Sequence, residues 1–483
     1  MDSAAKSKGA RGGGVTVLGQ LLKAAVQVLS VVVLSRLLGP DEFGLIAMVT
    51  VAVALGELVL DFGLTAAALR APKISHAQSS NLFWVNTALG TALGAAMFLL
   101  APLLAQIYNE PRIVPIAQVV ALSLLFNGVQ AQVQVQLARS QRFTAIVVTD
   151  LAAQTIAFLL AVVAAVIGLG YWALVIQVVT NASVIAVSRI VIAKWKPSLP
   201  RRGVGSRHLL RSGVHYALAQ LLTFGSSNID SFLIGARWGA NTLGYYNRAM
   251  QLLTVPLSRL LTPLNNVAVP TMTKMNADAS QTVVNRRFQL LQVLVSLPVG
   301  AIFAIAAGSA NTLIPMILGD QWTPAVPLFQ LLAAGGGLRA LSHVTYWLFL
   351  MLAPSQSFLA SSIVTKGLTM FLVLLGSFHS VEAVALLYTL GLSLNWPINL
   401  IWLKARGGLD AWPLFRDGIR ILLTTCPAAI ASYFCLYLPL ESTLMLCAAQ
   451  LTTGVMTFVL TIMSTRRGRA DFTLLIRTAK RMI

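Results

Sequence analysis

From Val15 to Ser464 the chain alternates long apolar runs with short polar breaks. Residues 86–105 and 151–169 each pass without one ionisable side chain. A helix needs ~20 apolar residues to cross a bilayer. The runs lack the period-two alternation of barrel strands. The pattern therefore predicts an all-α polytopic membrane protein with fourteen spans: 14–38, 42–69, 80–106, 113–138, 144–168, 171–193, 210–236, 242–270, 287–312, 323–351, 356–377, 382–403, 414–437 and 442–464. No break is long enough for a sizeable soluble domain. The first run follows Lys6, Lys8 and Arg11 but is too long for a signal peptide and has no small-residue cleavage site, so it is expected to stay as the first span.

Composition agrees. Of 483 residues 57% are hydrophobic and 10% charged, where a soluble chain carries about 25% charged residues. The net charge of +20 is distributed as a topology signal. Alternate breaks hold Arg70 and Lys73, Arg139 and Arg142, the run from Lys194 to Arg211, Lys274 to Arg287, Lys404 to Arg420, and a tail from Arg466 to Arg481. The opposite breaks hold Arg36, Arg112 and Arg237 among Asp41, Glu42, Glu110, Asp320, Glu382 and Glu441. The positive-inside rule then puts both termini in the cytoplasm. Attraction to anionic lipid accounts for the basic excess without nucleic acid. Cys426, Cys435 and Cys447 lie in the last two spans without metal-ligand spacing, so neither metal nor cofactor is expected. No GxxxxGKS/T loop is present, and no outer break is large enough for the catalytic residues of a membrane polymerase or ligase. An enzyme is not expected.

The chain repeats itself. Residues 19–45 align with 219–245 without a gap: GQLLK meets AQLLT, Gly39 falls on Gly239 and Gly44 on Gly244. EPRIVPIAQVVAL (110–122) resembles WTPAVPLFQLLAA (322–334), and ARSQRF (138–143) echoes APSQSF (353–358). Six spans separate each feature from its copy, an even number, so both copies share one orientation. That is a parallel repeat of the kind transporters build around a central path. The expected organisation is an N-lobe (1–193), a basic linker (194–211), a C-lobe (212–404), two further spans (405–464) and a basic tail (465–483).

Polar residues inside the spans are the candidate chemistry. Gln20, Lys23, Gln27 and Ser30 form one stripe on span 1, and Tyr216, Gln220, Thr223, Ser227 and Asp230 form another on span 7. Such stripes face protein or water. They serve either interhelical hydrogen bonds or a shared cavity, which their alignment favours. Lys23, Arg248, Arg259, Arg339 and Lys366 lie within spans, where each costs about 2.5–3.5 kcal/mol at mid-helix. The acids there are Glu57 and Asp61, one turn apart, with Asp150 and Asp230. Three readings fit the cations: snorkelling, for which Arg248 is near enough to an end; pairing with Glu57 or Asp61; or binding an anionic substrate, where Arg offers a bidentate fork. Glu57, Asp61 and Asp230 are the candidates for ion or proton coupling and gating. His343, one turn after Arg339, and His215 have no evident relay partner. The Gly-rich LAAGGGLRA (332–340) sits within a span and is expected to permit close packing or a kink.

SRLLGPDEFGLIAMVTVAVALGELVLDFGLTAAALR (35–70) resembles the first helix pair of bacterial polysaccharide transporters. NIDSFLIGARWGANTLGYYNRAMQL (228–252) resembles their seventh and eighth helices. These are the O-antigen and exopolysaccharide repeat-unit flippases of the Wzx type, in the multidrug/oligosaccharidyl-lipid/polysaccharide exporter superfamily. The resemblance implies a V-shaped bundle of two six-helix lobes with alternating access, in the bacterial inner membrane. The implied substrate is an undecaprenyl-pyrophosphate-linked oligosaccharide, contacted by cavity cations such as Lys23, Arg339 and Lys366. Spans 13 and 14 are apolar enough to hold its lipid tail. Implied partners are membrane lipid, a polysaccharide polymerase and a chain-length regulator, with ion gradients or membrane potential as the driving force. The alternative is an ion-coupled small-molecule or multidrug antiporter of the same superfamily. Acids would then predominate in the cavity, and here cations outnumber them.

Overall fold

The computed structural model describes residues 2–61, 74–201, 207–273, 281–352, 355–407, 410–440 and 442–482, with side chains from Leu18 onward except those of 61, 207–222, 262–273, 281–282, 284, 350, 355, 407 and 478–482. Among the described residues the only regular elements are helices. The helices are α1 (Asp2–Leu37), α2 (Pro40–Asp61), α3 (His76–Tyr108), α4 (Ile113–Val120), α5 (Leu122–Arg139), α6 (Phe143–Val166), α7 (Trp172–Ala193), α8 (Arg207–Thr273), α9 (Gln281–Gly308), α10 (Ala310–Leu318), α11 (Ala325–Ala334), α12 (Gly336–Leu352), α13 (Ser355–Gly376), α14 (Val381–Gly407), α15 (Trp412–Phe434), α16 (Thr443–Ser464) and α17 (Arg466–Met482). Twelve candidate spans among the described residues are long and apolar enough to cross a membrane. They coincide with twelve of the fourteen predicted spans. Predicted spans 7 and 8 both fall in α8, which leaves helical geometry at Gly239 (φ 79°, ψ −175°), a conformation that favours glycine. Two spans that hold the aligned repeat segments are broken. Span 4 is α4 and α5, interrupted at Ala121, and span 10 is α11 and α12, interrupted at Gly335. Both interruptions follow the short helix that carries the aligned prolines, Pro115 and Pro327.

The chain forms two compact units, Met1–Gly244 and Tyr245–Ile483. In the first, Pro40 opens α2 with Asp41 and Glu42 in its first turn, where proline loses no hydrogen bond and acids meet the helix dipole. Why the chain builds this corner twice is visible in the packing. A Cβ on Gly44 would strike the Ala240 carbonyl, and a Cβ on Gly244 would strike the Pro40 carbonyl. The repeat alignment pairs Gly44 with Gly244 and Pro40 with Ala240, so the contact is reciprocal. Farther along, α3 crosses α5 where a Cβ on Gly90 would lie 3.0 Å from the Gly128 Cα. Leu34, Leu38, Phe158, Ala161, Ala164, Ala173 and Leu174 form a core where α1, α6 and α7 meet.

The linker begins as a fixed strap. After Lys194 the backbone runs along the start of α3, where the Trp84 indole donates to the Ser198 carbonyl at 3.0 Å. The Asn81 amide donates to the Arg201 carbonyl at 2.7 Å and accepts from its N–H at 2.9 Å. Trp195 packs on Phe83 and His76. Residues 202–206 of the linker lie outside the described residues.

In the second unit Trp322, Trp347 and Trp396 are fully buried. Close packing accounts for the Gly-rich run: Gly336 lies against Phe303, and a Cβ on Gly335 would lie 2.8 Å from Thr389. The tail, read from the sequence as a basic segment, is the helix α17.

Candidate functional site

Two polar clusters lie inside the predicted membrane region, one in each unit. In the first, Lys23 Nζ contacts Asp150 Oδ2 at 2.9 Å, and Arg189 Nη2 contacts Asp150 Oδ1 at 2.7 Å. Arg189 also donates to Gln134 at 3.0 Å and to Gln130. The Gln154 amide donates to the Lys23 carbonyl and the Gln27 side chain, each at 3.2 Å. Gln177 donates to Ser30 at 2.8 Å. The span-1 stripe is thus met by α6 and α7, through the interhelical hydrogen bonds that were the alternative to a cavity. Asp150 is shared by two cations, and amide oxygens saturate much of what remains of Arg189.

The second cluster handles positive charge differently. Arg339 Nη2 donates to the Tyr388 hydroxyl at 3.0 Å. Its guanidinium carbon lies 5.4 Å from the Tyr388 ring centroid, and the Met250 sulfur is 4.0 Å away. No carboxylate meets Arg339 among the described residues. Arg248 is buried, with its guanidinium carbon 5.7 Å from the Trp322 ring centroid, and it donates to Gln251. Tyr245 meets the same indole edge-on at 6.0 Å. Snorkelling is therefore not what Arg248 does: the side chain turns inward onto an aromatic wall.

The other candidates are more scattered. Arg259 shares its helix with Arg248 but is exposed. Eleven residues do place the two on nearly one face, and that face passes from core to surface along its length. Lys366 is half-buried on α13. Glu57 is exposed and accepts from the Asn127 amide at 2.7 Å. Asp230 is fully buried. The side chains of Asp61, Tyr216, Gln220 and His215 lie outside the described residues. His343 packs against the rings of Tyr346 and Trp347.

Sequence reasoning missed Arg189, Tyr388 and Trp322. Arg189 lies within predicted span 6, near the linker end of α7, and was not among the cations singled out inside the spans. Its burial needed the structure, although Asp150 and three glutamines at 130, 134 and 154 signalled a polar interior. Outside the predicted membrane region, Arg112 bridges Asp41 at 2.7 Å and Glu110 at 2.8 Å. The Arg112 N–H bonds hold the Glu110 carboxyl below the usual carboxylate range, and the same bonds hold the guanidinium protonated more firmly than usual.

Residues 33–327 match the model of a family described as polysaccharide biosynthesis protein. The lipopolysaccharide biosynthesis protein WzxC of Escherichia coli (strain K12) is 26% identical over 326 residues, 64% of this chain and 63% of that protein. The succinoglycan biosynthesis transport protein ExoT of Rhizobium meliloti (strain 1021) is 24% identical over 333 residues, 67% of this chain and 65% of that protein. The chain thus spans less than two thirds of the length of these curated relatives. Among solved structures, lipid II flippase MurJ in an inward closed conformation superposes with a TM-score of 0.74, over 92% of this chain and 97% of that one, at 9% identity. That likeness is one of fold.

Proposed function

The chain belongs to the polysaccharide biosynthesis protein family, and from that premise we propose that it is a flippase. Its substrate is an undecaprenyl-pyrophosphate-linked oligosaccharide repeat unit, moved by alternating access from the cytoplasmic to the periplasmic leaflet of a bacterial inner membrane. Both termini are cytoplasmic. A polysaccharide polymerase and a chain-length regulator act nearby on the product.

The observation that carries this reading is the setting of Arg339. Holding an arginine in a membrane interior costs about 2.5–3.5 kcal/mol. A desolvated cation–π contact returns about 2 kcal/mol. Tyr388 therefore orients the guanidinium without neutralising it, and the fork can meet a pyrophosphate oxygen pair bidentately. Lys366 on α13 and Arg248 on α8 are the further candidate contacts for the anion, and Arg259 guides the approach. Lys23 contributes less, because Asp150 already offsets its charge. Glu57, Asp61 and Asp230 are the acids through which an ion or proton gradient drives the cycle. A drug antiporter for cationic compounds would instead place carboxylates where Arg339 meets a ring.

The test is made on cells lacking the protein. Undecaprenyl-linked lipids are extracted and completed oligosaccharide units measured by leaflet. Accumulation on the cytoplasmic leaflet with loss of surface polymer, both reversed by the intact gene, is the expected result. Normal lipid pools with normal polymer would reject the flippase.

A further inference from the structure

The helix α17 begins two residues beyond Ser464, where the apolar span α16 ends, so it starts at the edge of the bilayer. Its sequence, RRGRADFTLLIRTAKRM, is divided by face. Phe472, Leu475, Ile476 and Ala479 follow each other at helical spacing on one arc, and Arg466, Arg469, Thr473 and Arg477 follow each other on another. Arg466, Arg469 and Arg477 are exposed, and Ile476 is 41% exposed. Phe472 and Leu475 are only half-buried against the rest of the unit.

The single acid between 465 and 483 is Asp471, and it is engaged elsewhere. Arg420 on α15 contacts Asp471 at 2.5 Å, and Arg467 of α17 lies 3.6 Å from Asp417. These ion pairs fix the roll of α17 about its axis. They leave an apolar arc incompletely covered and a cationic arc exposed beside it.

We infer that α17 is an interfacial helix whose occupant is the anionic bilayer surface. Ile476 and its apolar neighbours sink to the headgroup–acyl boundary, and Arg466, Arg469 and Arg477 meet lipid phosphates. Charge complementarity favours this occupant over a protein: Arg466, Arg469 and Arg477 are exposed while the one acid of the segment is paired with Arg420, and the preceding span delivers the helix to the layer in which phosphate is concentrated.

The experiment uses the full chain with Cys426, Cys435 and Cys447 replaced by Ser and a polarity-sensitive fluorophore on Ile476→Cys. The protein is reconstituted in phosphatidylcholine vesicles with and without phosphatidylglycerol, and quenching by aqueous iodide and by brominated lipid is compared. The expected result is iodide quenching at least about threefold weaker in the anionic vesicles, with brominated-lipid quenching stronger, and both changes reversed by high salt or by Arg469→Glu with Arg477→Glu. Both arginines are exposed, and an unchanged thermal midpoint in detergent shows that the double variant is folded. Equal iodide access in the two lipid compositions would overturn the proposal. So would protection that appears only when membrane proteins are added to pure lipid vesicles, since the occupant would then be a protein.

Discussion

The two units hold positive charge inside the predicted membrane region by different means. In the first, Lys23 and Arg189 converge on Asp150 and are backed by four glutamines, at 27, 130, 134 and 154. In the second, Arg339 lies over Tyr388 and Arg248 over Trp322. A carboxylate neutralises, whereas a ring only orients. The first arrangement joins helices through a shared carboxylate, and in the reading proposed above the second keeps the Arg339 charge for an anion. Residue type alone does not reveal which of the two settings a cation has.

The comparison is broken most severely at Asp150. Asp150→Asn leaves two cations without their carboxylate, and removing one partner of a buried pair costs about 3 kcal/mol or more. The expected outcome is a large loss of folded protein, measured by thermal unfolding in detergent. Asp150→Asn combined with Arg189→Gln should recover part of it. Recovery from Arg339 variants rather than from Arg189 would show that the two clusters are not distinct.

Arg339→Ala should leave the protein level intact and reduce polymer export by about tenfold or more, the effect of one lost charge-assisted contact. Arg339→Lys keeps the charge without the fork and should fall between. Equal export from wild type and Arg339→Ala would remove the anion reading. A smaller change follows at each cluster's partner. Tyr388→Phe keeps the ring and loses the hydroxyl, so export should fall about twofold to threefold. Lys23→Ala should change export less than Arg339→Ala does, because Arg189 still meets Asp150.

The smallest effect is expected at the exposed pair Glu110–Arg112. Glu110's carboxyl is held below its ordinary range. Its contribution is therefore fully present above the ordinary carboxylate pKa and is lost as pH falls through the lowered one. An exposed pair is worth about 0–1 kcal/mol. The acid limb of thermal stability should shift slightly and flatten in Glu110→Gln, as read from unfolding midpoints between neutral and acidic pH.

Much of the fold was legible because spans are defined by length and charge alone. Gly39, Gly44, Gly239 and Gly244 announced the repeat; Gly44 and Gly244 meet backbone that leaves no room for a side chain, and Gly239 holds a positive φ. The breaks at Ala121 and Gly335 were not legible: one interrupts an unremarkable apolar run, and the other sits in a glycine run that also serves packing. The stripe of Gln20, Lys23, Gln27 and Ser30 gave the correct face but not its partner, since a polar face satisfied by Gln154 looks in sequence like one lining water. Arg189 was overlooked inside span 6, and its pairing with Asp150 is visible only once α6 and α7 meet. Arg339 was identified, but its setting depends on Tyr388, which is 49 residues away.

The reciprocal contact of Gly44 and Gly244 has a historical side. A contact in which each partner offers the same groove and the same carbonyl is what a two-fold dimer of identical chains makes. A half-length ancestor with one such corner would already have carried a complete interface in its single sequence. Duplication and fusion of such a chain would change its stoichiometry rather than its geometry: an encounter that depends on concentration would become one molecule. A contact made by glycine against a backbone carbonyl constrains only the glycine, and PDEF and ANTL differ at every position between glycines that do not.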